Sequence, residues 1–155
     1  MAAGMVATGL ARGGAVAISA VRRGGLPERN GVRLELLEQP LAVCRLDGDS
    51  PVPAWLAGEI TSVTRRRSEL SLVCAAEAAP EEVEQEGPFR ALTVAGRLAF
   101  DEVGILAALT APLAEAGVPI LAIGTFDTDV VLVPASRLDD AVDALTAAGH
   151  DLVGT

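Results

Sequence analysis

The chain has 155 residues, is half hydrophobic and carries a formal charge of −9, and its twelve basic residues are all arginine, with no lysine and no tyrosine. That length holds one compact domain or two very small ones, and so acidic a chain repels phosphate backbones, which counts against nucleic-acid binding. Without lysine there is no Schiff-base catalysis, no pyridoxal phosphate attachment and no P-loop, and no apolar run reaches the ~20 residues of a membrane-spanning helix.

Residues 1–31 are rich in Gly and Ala and hold four arginines against the single Glu28. Gly9, Gly13, Gly14, Gly24 and Gly25 interrupt any helix there, and charge following the apolar part does not suit a secretory signal. This stretch reads as an extension outside the fold, either disordered or the product of an upstream start codon.

From Val32 the pattern sharpens. Arg33–Leu37 and Leu41–Leu46 are strand-like around Gln39-Pro40. The Asp47–Pro51 cluster predicts a turn, and Pro53–Ala57, with the lone Trp55, predicts one or two helical turns plugging the core. Ile60–Thr64 and Leu70–Ala75 predict a hairpin whose tip is the solvated Arg65-Arg66-Arg67 triplet. Pro80–Gly87 reads as an acidic linker or short helix, and a strand over 90–98 follows. Ile105, Leu106, Leu109 and Leu113 share one face of a helix over 103–116, bent at Pro112 and ended by Gly117. Residues 119–125 and 130–134 predict two buried strands. Ser136 with Asp139 predicts a capping box for a helix over 136–148, and 150–153 an edge strand. Cys44 and Cys74 sit in apolar runs and read as reduced core thiols of a cytoplasmic protein. With one distant His150 they do not make a zinc spacing, so neither a metal nor a cofactor is expected.

The order β-α-β-β-α-β over the second half, with a degraded copy before it, predicts an α+β fold. It consists of two ferredoxin-like βαββαβ units in tandem, over 32–87 and 88–155, each with an antiparallel sheet and helices on one face. Two features of the second half exceed what a core needs. An acidic corner with a glycine, Asp101, Glu102, Val103, Gly104 and Ile105, opens the first helix. A polar loop, Thr125, Phe126, Asp127, Thr128 and Asp129, follows a buried strand. Both corners are expected at neighbouring ends of one sheet.

The residues Leu98-Ala-Phe-Asp-Glu-Val-Gly104-Ile105, Pro112-Leu113-Ala114, Thr125–Asp129 and Val131-Leu132-Val133-Pro134 resemble the ACT-domain family of small ligand-binding modules. Ser62-Val63-Thr64 and Glu69–Val73 match a weaker first copy. The resemblance covers about residues 33–153 and is strongest to tandem-ACT proteins of the CASTOR arginine-sensor type and to aspartate kinase regulatory domains. It implies a non-catalytic, cytoplasmic regulator that binds an amino acid between two facing second units. The helix start and the 125–129 loop would come from one chain. The beginning of the strand over Val118–Ile120, with Pro119 and Ile120 as the contacts, would come from the other, in a homodimer. Gly124 stands where the similar proteins show Ser.

The residue chemistry agrees with an amino acid. Free N–H groups of Gly104 and Ile105 at a helix start suit a carboxylate, and Asp127 and Asp129 suit an ammonium or guanidinium, favouring a ligand with a cationic end. The plainer readings are that Gly104 eases packing and that the aspartates are turn formers. An interaction module without ligand and an enzyme using the acidic cluster are the competing functions.

Overall fold

The computed structural model describes residues 31–153; the N-terminal extension read from the sequence lies outside them except for Gly31. The elements are β1 (Arg33–Leu36), β2 (Leu41–Leu46), β3 (Ser62–Arg66), β4 (Glu69–Ala75), β5 (Glu84–Val94), α1 (Ile105–Glu115), β6 (Leu121–Gly124), β7 (Asp129–Pro134), α2 (Leu138–Ala147) and β8 (Asp151–Val153). Short 3-10 turns at Ala76–Ala78 and Ala135–Arg137 complete them.

All eight strands belong to one sheet, and β5 is its pivot. Along one edge β5 pairs antiparallel with β2 over its first half and with β1 over its second. Along the other edge it pairs with β7, to which β6 is added. β4 and then β3 extend the sheet beyond β2. The jog between β1 and β2 is held where Leu37 N–H donates to Ala91 O at 2.9 Å and Arg90 donates to Leu37 O through Nε and Nη2. The Gly87–Pro88 peptide within β5 is cis.

Alternation along the strands sorts the side chains into three cores. Leu92, Val94, Val131 and Val133 face α1 and α2, meeting Ile105, Leu109, Leu113, Ala141 and Leu145. Their neighbours Ala91, Val130 and Leu132 face the other way, against Leu41 and Val73 of the N-terminal strands. The remaining face of those strands, Ala42, Cys44, Leu70, Leu72 and Cys74, is covered by Trp55, Leu56, Ala76, Ala79 and Val83. The sheet therefore doubles back on itself, and the face that two helices leave open is closed by the first half of the chain. β7, buried on both sides, reads as the continuous run Val130–Val133 for that reason.

The second half follows the expected βαββαβ order. The first half departs from the tandem expectation. Among the described residues it has no α-helix, and its strands continue one common sheet instead of forming a second. Residues 53–57 hold a single turn at Ala54-Trp55 in place of a helix, because Pro51 and Pro53 leave too little helix-forming chain. Residues 84–87 of the supposed linker are strand, because β2 offers them a partner. At the start of α2 the Ser136–Asp139 capping box does not form. Ser136 lies inside a 3-10 turn, and no side chain caps α2.

Both helices end alike. Gly117 and Gly149 take positive φ of 66° and 88°. The next residue's N–H reaches back across the turn, Val118 to Leu113 O and His150 to Leu145 O, which is the Schellman arrangement. Arg137 then donates to Ala116 and Gly117 carbonyls, placing a cation on the negative end of α1.

His150 does more than follow a helix. Pro112 has no N–H for the carbonyl of Ala108, four residues before it. The His150 ring, 8% exposed, fills that vacancy with Nε2 at 3.1 Å from Ala108 O. Its Nδ1 accepts from Val32 N–H at 3.1 Å, so the ring is the neutral tautomer with the proton on Nε2. One imidazole thus joins α1, the entrance to β1 and the end of α2. Replacing His150 by Ala is expected to cost about 1–3 kcal/mol, the usual penalty for orphaned buried groups. In a Pro112→Ala background the cost should shrink, since residue 112 then satisfies Ala108 itself. Equal costs in both backgrounds by urea denaturation would refute this bridge.

The two buried thiols form a second isolated feature. Burial first, then the neighbouring Cys74 with its hydrogen bond, pushes Cys44 up to about 11, and burial also raises Cys74. A thiol kept neutral by folding contributes its full stability below its unfolded pKa and loses it as pH rises through the folded value. With no Lys or Tyr in the chain, no other side chain titrates between pH 9 and 11. Stability should decline across that window in the native protein and stay flat in a Cys44→Ala/Cys74→Ala variant, as read by denaturation midpoints.

Candidate functional site

The β5–α1 connection (95–104) and the β6–β7 connection (125–128) emerge at the same end of the sheet, because β5 and β7 are antiparallel neighbours. Hydrogen bonds fasten the two together. Leu98 N–H donates to Asp127 O at 2.7 Å, and the Thr128 hydroxyl donates to Val94 O at 2.7 Å. The second loop is also closed within itself. Thr125 N–H and Oγ1 both donate to Thr128 O, and Thr125 Oγ1 accepts from Thr128 N–H. Such a loop is preformed and has little ordering entropy left to lose on binding.

Between the loops lies a cleft of about 180 Å³, lined by Leu98, Ala99, Phe100 and residues 125–129. Of the residues picked from the sequence, it gathers Thr125, Phe126, Asp127 and Asp129. Asp101, Glu102, Val103, Gly104 and Ile105 do not line it. Ile105 is buried under α1 in the helix-side core. Gly104 is the residue before α1, with φ 86° and ψ 4°, and no side chain caps the helix. Pro119 and Ile120, exposed just before β6, are also outside the cleft.

Two residues not picked from the sequence as ligand contacts, Arg97 and Phe100, shape the cleft's mouth. Arg97 Nε lies 2.6 Å from Asp127 Oδ1, and its guanidinium sits 5.7 Å from the centre of the Phe126 ring. Phe100 meets Phe126 edge to face, with centroids 5.0 Å apart. Phe100 is nevertheless 81% exposed, Phe126 69% and Val103 76%. Large apolar side chains clustered in the open mark a contact surface. The alternation of an arginine and two phenylalanines around small residues was the available signal, but only the fold brings position 100 to position 126.

Polar groups in the cleft are mostly committed. Both threonine hydroxyls serve the loop, and Asp127 holds Arg97. Asp129 is half-buried and, among the described residues, its carboxylate has no partner. A second, wider cleft of about 480 Å³ lies where the N-terminal strands diverge from β6. Ser62, Thr64 and Ser71 line one side and 121–124 the other. No group of three or more His, Cys, Asp or Glu among the described residues could hold a metal ion. No helix among them is long and apolar enough to cross a membrane.

The geometry also explains Gly104. A Cβ there would meet no atom within 4 Å, so packing is not the constraint; the positive φ is. Gly104→Ala should lower stability by about 1–2 kcal/mol, while Gly104→Asn, which tolerates this conformation, costs less. Equal Tm values for the two variants would argue against a backbone origin.

Fold and sequence comparisons agree on the class. Residues 84–147 match the ACT domain model, and 40–82 match a model described as an N-terminal domain. A crystal structure of a protein from Agobacterium tumefaciens is 34% identical, with a TM-score of 0.76, over 81% of this chain and 94% of that one. Residues 84–147 are therefore an ACT domain, and the whole chain belongs to one family with the Agobacterium protein. A Vibrio cholerae protein of unknown function, described as a possible transport protein, shares the fold at 24% identity and TM-score 0.65, over 78% of this chain and 92% of that one. The regulatory subunit of aspartate kinase from Thermus flavus does so at 15% identity and TM-score 0.54, over 77% and 99%. Comparison with curated protein sequences gave no match.

Proposed function

We propose that the protein is a non-catalytic regulatory module that binds a free amino acid in the cleft between the 95–104 and 125–128 loops, with two chains pairing around it. The observation that carries this reading is the open carboxylate of Asp129 inside a small preformed cleft. An α-ammonium fits it, at the strength of a charge-assisted hydrogen bond. The ACT class and the fold shared with a subunit named as regulatory support a sensing role.

The expectation of a cationic ligand drew on two carboxylates. Asp127 is engaged by Arg97, so Asp129 remains for the ammonium that every amino acid carries. Gly104 and Ile105 flank the cleft without lining it, so the carboxylate needs another partner. Pro119 and Ile120 keep the place the resemblance gives them, as the partner chain's contribution. A homodimer also answers the state of β6. This edge strand is apolar and largely exposed, with Leu121 at 38%, and it lacks the charges that protect β3 through Arg65 and Arg66. An unprotected edge of that kind favours pairing with another chain. In this reading residues 88–155 bind the ligand and 32–87 form a helix-free unit backing their sheet.

The same exposed β6, facing the wide cleft, favours the second reading, a module that docks a protein partner without a small ligand. Thermal shift against the standard amino acids at millimolar concentration, with light scattering for oligomeric state, separates the two. Binding should raise Tm with the logarithm of ligand concentration and stabilise a dimer. A protein indifferent to all of them, or monomeric at high concentration with and without ligand, contradicts the proposal.

A further inference from the structure

We infer that the ligand is an amino acid with an uncharged, apolar side chain, held by Arg97 at its carboxylate, Asp129 at its ammonium, and Phe100 with Phe126 at its side chain. This rests on the reading that the cleft binds an amino acid and narrows the class of that ligand.

The first support is the count of donors still free. A guanidinium has five N–H groups. Arg97 gives its Nε–H to Asp127, and among the described residues its Nη groups have no partner. Two parallel Nη contacts, or one, match a carboxylate in plane. Asp127 and the Phe126 face hold the guanidinium in one orientation beforehand, so Arg97 is a preorganised anion partner at the mouth of the cleft.

The second support is which charged groups are already paired. Arg97 and Asp127 neutralise each other, and Asp129 is the one carboxylate of the lining left over. A zwitterion's carboxylate can take the open Nη groups of Arg97 while its ammonium takes Asp129. A lysine or arginine ligand brings a further cation that must share Asp127 with Arg97, and it meets Arg97 as a like charge. A glutamate or aspartate ligand brings a further anion with only the same Arg97 to bind it.

The third support is the aromatic pair. Two of the chain's three phenylalanines stand in the open at the cleft. The lining polar groups other than Asp129 are spent on the loops themselves. What remains to contact a side chain is therefore Phe100, Phe126, Leu98 and Ala99, surfaces that gain from covering by apolar groups and give hydrogen bonds to none.

Calorimetry on the full chain with phenylalanine, leucine, methionine, lysine, arginine and glutamate tests this, with phenethylamine as a probe lacking the carboxylate. Phenylalanine or leucine should bind at least about tenfold tighter than lysine, arginine or glutamate, and phenethylamine should lose about tenfold or more against phenylalanine. Arg97→Gln should weaken the apolar ligands by a similar factor with Tm unchanged, since this exposed side chain supports no core. Arg97→Lys should recover part of it, because it restores charge but not the planar fork. Phe100→Ser should reduce the preference for leucine over alanine. Tighter binding of lysine or arginine overturns the apolar class while leaving the amino-acid reading intact, and so does full affinity in Arg97→Gln for the carboxylate anchor. Binding of no amino acid at all overturns both.

Discussion

β5 gives away both of its edges, and the molecule is built on that fact. In an open ferredoxin-like unit the face opposite the helices must be buried by something, since a sheet with two apolar faces cannot leave one in water. Here β5 runs long enough, over Glu84–Val94, to serve two neighbourhoods. Its first half recruits β2, and through it β4 and β3. Its second half recruits β7 and β6 on one side and β1 on the other. Folding the N-terminal strands back over Ala91, Val130 and Leu132 closes the exposed face with aliphatic contacts. No helix is needed there, and the first half of the chain has none among its described residues.

That arrangement accounts for what could and could not be read from the residues. The βαββαβ order of the second half was legible because each element carries its own punctuation, with Gly117 and Gly149 ending helices and Pro119 and Pro134 bounding strands. The hairpin through Arg66 and Glu69 was legible for the same reason. The first half was misjudged as a fading repeat of the second. Its apolar residues are as dense as those of a domain with helices of its own, but they are spent on a sheet shared with the second half, and periodicity alone does not say across which strand a face is buried. Likewise Pro80–Gly87 looked solvated because Glu81, Glu82, Glu84 and Glu86 do face solvent. Exposure did not preclude strand, since β2 supplied the hydrogen bonds.

The site divides along a similar line. The loop Thr125–Asp129 was visible as polar chemistry after a buried strand, and it does line a cleft. The acidic corner Asp101–Gly104 looked equally informative but is displaced from that cleft by the preceding residues, Leu98 to Phe100. Arg97 escaped notice because a lone arginine after a glycine is an ordinary turn residue in sequence. Its meaning comes from Asp127, thirty positions on, which the Leu98–Asp127 hydrogen bond brings to its side.

β1 holds a further lesson. It lies between β5 and β8, pairing antiparallel with the one and parallel with the other, yet it precedes the stretch that matches the ACT domain model by nearly fifty residues of chain. β8, just beyond the matched residues, joins the sheet only through β1. A segment cut at the borders of the family match, 84–147, would lose both β1 and β8 and leave one edge of the second half of β5 unpaired. The borders of the family match and the borders of the hydrogen-bonded sheet therefore do not coincide, and the sheet is complete only with strands from outside the match.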